Sequence, residues 1–147
     1  MHLPTVPPVV DIARPTVRAL RSPPPGLRLQ SPTVQLRNRD RDARPFVTKD
    51  GSTIREYFHS DLQSLAEASL EPSTSTQRHY HARSEEIYLI LGGGGELEVD
   101  GDRREVGPGD AVLIPPGSWH RLAAGSEGAR LLCCCVPPYA DDDTFFA

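Results

Sequence analysis

Clusters of turn-forming residues cut the second two-thirds of the chain into short pieces. They fall at Lys49-Asp50-Gly51-Ser52, Pro72-Ser73-Thr74-Ser75-Thr76, Gly92 to Gly95, Asp100-Gly101, Gly107-Pro108-Gly109-Asp110, Pro115-Pro116-Gly117, Ala124-Gly125-Ser126-Glu127-Gly128 and Pro137-Pro138. Little between them competes as helix, and several pieces read as strands, as in the strict alternation of Glu96-Leu97-Glu98-Val99-Asp100. Asp100-Gly101 is the strongest short hairpin signal in the chain. Ser64-Leu65-Ala66-Glu67-Ala68-Ser69-Leu70 is ambiguous by propensity, but Pro72 closes it within two turns and its neighbours are strand-like, so it reads as a strand. Residues 46–136 are thus expected to hold about eight short strands in an all-β sandwich or barrel. The four glycines are expected to make a tight strand-to-strand turn, because no helix follows them to form a phosphate cradle.

One of these pieces carries chemistry. His79 and His81 flank Tyr80, so on an extended backbone both imidazoles share a face. Ala82-Arg83-Ser84 then turns the chain, and Glu86-Ile87-Tyr88-Leu89-Ile90-Leu91 reads as a second strand with a carboxylate at its entrance. Two histidines opposite a carboxylate on a neighbouring strand make a three-point grip on a divalent cation, and His120 is the candidate fourth point.

Composition sets the frame. At 147 residues the chain is long enough for one domain with a real core. No stretch approaches the roughly 20 apolar residues of a membrane span. The start, Met1-His2-Leu3-Pro4, lacks a basic region followed by an apolar run, so a cytoplasmic protein is expected. The formal net charge of −4 is uneven: residues 1–45 hold eight Arg and three Asp. That basic arm has no aromatic residues for base stacking and no known module, so no nucleic-acid partner is expected. Its prolines (Pro4, Pro7, Pro8, Pro15, Pro23, Pro24, Pro25, Pro32) argue for an extended arm over residues 1–45, with the barrel domain occupying 46–147. Cys133-Cys134-Cys135 are consecutive and form no disulfide or zinc pattern. On a strand Cys133 and Cys135 share one face, and small apolar packing in a reducing compartment is the expected role.

With these residues in place, the body resembles a small single-domain cupin, a double-stranded β-helix or jelly roll. The family's first motif, G-x5-H-x-H-x3,4-E-x6-G, is matched by His79, His81, Glu86 and Gly93, with Ser73 where the first glycine is usual. Its second, G-x5-P-x-G-x2-H-x3-N, is matched by Gly109, Pro115, Gly117 and His120, with Ala124 in place of the Asn. The resemblance implies metal ligation by His79, His81, Glu86 and His120, and its spacing selects Glu86 over Glu85. Three neutral imidazoles and one carboxylate suit Fe(II) first, with Mn, Ni, Co, Cu or Zn as alternatives. Around an octahedral ion, four protein ligands leave two positions for a substrate and O₂ or water.

Strand parity names the lining. Tyr88 and Ile90 share a face with Glu86, and Leu122 shares one with His120. Tyr88 is the candidate catalytic residue, a polar group near a bound substrate, against the alternative of a core tyrosine with a satisfied hydroxyl. His59 reads as a surface residue and Trp119 as facing away from the ion. The leading functional expectation is an Fe(II)-type oxygenase acting on a small organic substrate. The alternatives are a redox-neutral isomerase, epimerase or cyclase of sugar-phosphate or secondary-metabolite type, and a non-catalytic metal- or ligand-binding cupin. A homodimer is expected, because small cupins commonly pair through their sheets.

Overall fold

The computed structural model describes residues 34–147. The proline-rich run expected to form an extended arm falls at residues 1–33, outside the described residues. Nine strands follow in order: β1 (Phe46–Val47), β2 (Thr53–His59), β3 (Ser64–Leu70), β4 (His79–His81), β5 (Glu85–Val99), β6 (Asp102–Val106), β7 (Ala111–Ile114), β8 (His120–Val136) and β9 (Thr144–Phe146). Every pairing is antiparallel. The body is all-β, as the turn clusters imply, and Ser64–Leu70 is a strand paired on both sides, with β2 and β8.

Two long strands organise the rest. β5 and β8 pair along nearly their whole lengths, from Glu85↔Val136 to Val99↔His120. The late half of β8 lies between β3 and the first half of β5, while its first residue pairs with β4. β6 and β7 line up on the other edge of β5. A sheet wound in this way closes on itself and encloses one core, built from Ala68, Leu70, Tyr88, Ile90, Leu97, Val106, Ile114, Leu122, Ala124, Ala129 and Leu131.

The glycine run does not turn the chain from one strand to the next. β5 passes straight through Gly92–Gly95, with register shifts between Ile90 and Gly92 and between Gly93 and Gly95. Ala124–Gly128, also expected to be a turn, lies inside β8. These are the corners where the paired strands bend from one wall of the barrel to the next. Their backbones cross so closely that a Cβ at Gly93 would overlap the Gly128 carbonyl. The Asp100-Gly101 hairpin is present, with both residues at positive φ. Ser73, standing where the motif usually has glycine, also adopts positive φ (59°), so the position keeps the backbone that glycine favours.

Residues just before the barrel pack on it as well. Ala43 is buried, and Arg39 Nε donates to the buried Glu67 at 2.8 Å, with Arg130 on the other side of the same carboxylate.

Candidate metal centre

The start of β8 meets β4, and the end of β8 meets the start of β5, so three strands deliver their polar residues to one place. His79 lies directly opposite His120, and Glu86 directly opposite Cys135. The alternation along β5 is strict at its start: Glu85, Ile87 and Leu89 are exposed, while Glu86, Tyr88 and Ile90 are buried. Glu86 therefore points inward and Glu85 outward.

His79, His81 and His120 are all buried and cluster so that one ring nitrogen of each lies within 4.8 Å of the others. Each ring is oriented by the nitrogen facing away from the cluster. His79 Nδ1 lies 2.8 Å from the Gln77 carbonyl and His120 Nδ1 lies 3.0 Å from the Ser118 carbonyl, and a carbonyl can only accept. His81 Nδ1 lies 3.1 Å from Thr144 Oγ1, whose own proton is engaged by the Ala140 carbonyl at 2.9 Å. All three imidazoles thus carry the proton on Nδ1 and turn the Nε2 lone pair inward. Burial, reinforced by the neighbouring His120, lowers the pKa of His79 and favours its neutral form.

Glu86 completes the group. Its Oε2 sits 3.4 Å from both His81 Nε2 and His120 Nε2. Glu86 Oε2 and His120 Nε2 are buried without a hydrogen-bond partner among the described residues. Inward lone pairs facing a carboxylate oxygen repel one another unless a cation lies among them. The donor set of three imidazole nitrogens and one carboxylate oxygen fits a divalent transition metal.

The group opens onto a cavity of about 80 Å³. One water needs about 10–15 Å³ on this measure, so there is room for a small organic molecule. Tyr88 lies in its wall, with its ring centroid 6.1 Å from that of His120. Burial and the nearby Glu86 push the phenol pKa far up, so Tyr88 stays protonated. Leu122 lines the cavity as strand parity requires, whereas Ile90 packs in the core and takes no part in the lining. His59 is exposed and pairs with Glu56 at 3.0 Å. Trp119 faces the outer side of β4, against Tyr80 and beneath Arg78.

A family model described as "Cupin domain" matches residues 66–135. An uncharacterised protein of Methanocaldococcus jannaschii is 43% identical over 107 residues, which are 69% of this chain and 86% of that protein. The chain is a cupin.

Other cupin relatives carry named activities. L-ectoine synthase of Bordetella avium is 34% identical over 76 residues, covering 51% of this chain and 58% of the synthase. A 5-aminosalicylate 1,2-dioxygenase of Comamonas is 36% identical over 69 residues, 47% of this cupin and 18% of the dioxygenase. Among solved structures, Streptomyces PAC13 with uridine superposes with a TM-score of 0.67 at 14% identity, covering 78% of this chain and 92% of that one, a likeness of fold.

Several residues at the cupin's site were not singled out from the sequence. Cys133 and Cys135 do share a face, but it is the cavity face, and Cys135 Sγ donates to Glu86 Oε1 at 3.5 Å. Burial, with Glu86 beside them, pushes both thiols up, so they stay protonated. Thr144 and Phe146 lie in what reads as an acidic-aromatic tail, yet they form β9 against β4. Asp50 and Tyr139 come from segments without periodicity, so no pattern flags them. Burial and the hydrogen bond to Asp141 push the Tyr139 phenol up to about 12.

Proposed function

We propose that this cupin is a metal-dependent enzyme acting on a small organic substrate, with His79, His81, Glu86 and His120 as ligands to one divalent ion. The observation that carries the reading is a buried cluster of three histidines, two of which hold their Nε2 atoms 3.4 Å from the unpartnered Glu86 Oε2, at the edge of a cavity. Bound there, the ion supplies Lewis-acid polarisation and, if it is Fe(II), the ability to activate O₂. The chain's own residues do the rest. Gln77, Ser118 and Thr144 hold the imidazoles, and Tyr88 offers a protonated phenol beside the centre.

An Fe(II) oxygenase is the leading form of this reading, supported by the similarity to the 5-aminosalicylate dioxygenase. A redox-neutral cyclase or lyase is the second form. It is supported by the L-ectoine synthases, one of which, from Rhodococcus jostii, is similar over 72% of this chain. A sugar-phosphate substrate loses support, because no Lys or Arg lines the cavity among the described residues. Elemental analysis of protein purified without chelators names the ion. Anaerobic Fe(II) loading followed by O₂-uptake measurements with candidate substrates then separates the two forms. His81→Ala and His120→Ala should each abolish metal retention while the β-sheet circular dichroism is kept; full metal content in either variant would overturn the ligand set.

A homodimer is part of the same proposal. Ile87, Leu89, Leu113 and Val136 are exposed on the outer surface of β5, β7 and β8, and Ile87 pairs directly with Leu113.

A further inference from the structure

The lining of the cavity is of two kinds. His79, His81 and Glu86 of the metal centre face it, and the rest of its charged lining consists of Asp50, just before β2, and Glu56 on β2. Among the described residues no lysine or arginine lines the space. The rest of the lining is apolar groups, hydroxyls, thiols and phenols, which are ordinarily neutral. Beyond the metal centre, the walls are therefore negative or neutral.

Asp50 is the better placed of the two carboxylates. Glu56 is exposed and engaged with His59. Asp50 is held rigidly by one oxygen only: Oδ1 accepts from Thr48 Oγ1, from the Ser52 amide and from Ser52 Oγ. Among the described residues nothing donates to Oδ2. A turn needs a single acceptor, which asparagine supplies equally well. The second oxygen, with its full charge, is surplus to the turn and fixed in the wall of the cavity. His79, Tyr88, Cys133 and Tyr139 line the same space.

Resting on the metal centre proposed above, we infer that the substrate is a small amine-bearing acid, whose ammonium group is held by Asp50 Oδ2 while its anionic end faces the metal centre. The charges match. A divalent ion with Glu86 would carry one net positive charge, which attracts an anionic group, and Asp50 attracts a cation. A dianion would place its second charge against Asp50, and a simple monocarboxylate would leave Asp50 without a partner. The cavity's volume of about 80 Å³ restricts the molecule to a short one.

The test is calorimetric titration of the metal-loaded full chain, under anaerobic conditions, with ω-amino acids from glycine to 6-aminohexanoate. Monocarboxylates and dicarboxylates of matching length serve as controls. At one length the amino acid should bind about ten- to a hundredfold more tightly than both its controls, the ratio expected of one charge-assisted hydrogen bond. Asp50→Asn keeps the acceptor that Thr48 and Ser52 use, so it should fold and load metal normally. Its affinity for the amino acid should fall to that of the monocarboxylate. A dicarboxylate that binds as well as the amino acid, no length at which the amine helps, or an unchanged preference in Asp50→Asn would each overturn the inference and leave the metal centre standing. Failure of the wild-type chain to take up metal would overturn both.

Discussion

The chemistry proposed for the centre depends on atoms that face away from it. An imidazole can offer Nε2 to a metal only if its proton sits on Nδ1, and here that choice rests on two backbone carbonyls and one hydroxyl. The hydroxyl is the only one of the three that a point substitution can remove. Thr144→Val keeps the shape and deletes the acceptor for His81 Nδ1. Metal affinity should fall about ten- to a hundredfold, read by competition with a chromophoric chelator, and Thr144→Ser should restore most of it. The histidines themselves are plain in the sequence, because an i, i+2 pair on a strand defines a face without further information. Thr144 is not. It lies 63 residues from His81 and reaches it only because β9 pairs with β4.

At the scale of elements, the bends in β5 and β8 decide whether the cup closes. Gly93 has φ 62°, and a side chain there would run into the Gly128 backbone, so Gly93→Ala faces both penalties at once. It should cost about 2–5 kcal/mol in urea unfolding, whereas Gly109→Ala, with open space around its Cβ, should cost only the conformational part, about 1–2 kcal/mol. The glycines misled the sequence reading for a physical reason. A glycine that turns a chain and one that lets two backbones touch have the same local signature, and only the partner strand tells them apart. A second element-scale contact is the buried Asp143 in the short turn before β9. It accepts from the amides of Arg83 and Ser84, the Ser84 hydroxyl and Arg83 Nε, and so pins the bend between His81 and Glu86. Burial tends to raise its pKa, but Arg83 and Ser84 lower it below the ordinary value. A depressed folded pKa gives stability that is present at neutral pH and lost as pH falls through the folded value. Asp143→Asn should therefore be less stable than wild type by about 1–3 kcal/mol at pH 7, with the gap closing below about pH 4 as the wild-type carboxylate protonates. A thermal-melt series across pH checks both the size and the direction.

For the whole molecule, the all-β body and its inner face were readable because alternation and turn residues are local signals. The contribution of Asp50 and Tyr139 to the cavity was not, since both sit in irregular segments placed only by the closed barrel. The outer apolar face of β5, β7 and β8 belongs to this scale. Light scattering should report a dimer, and Leu113→Glu should shift it to monomer with metal content intact; a wild-type monomer at tens of micromolar would remove the face from consideration. The way β8 is used also has a consequence in time. Its first residue meets β4 and its last residues meet β5, so a fragment that lacks either β4 or β8 would not hold the proposed centre. Closure across such sequence distances belongs to the slow end of small-domain folding, about milliseconds to seconds. On the proposed reading, an ion gripped there would serve as a certificate of maturation, carried only by molecules whose barrel has already shut.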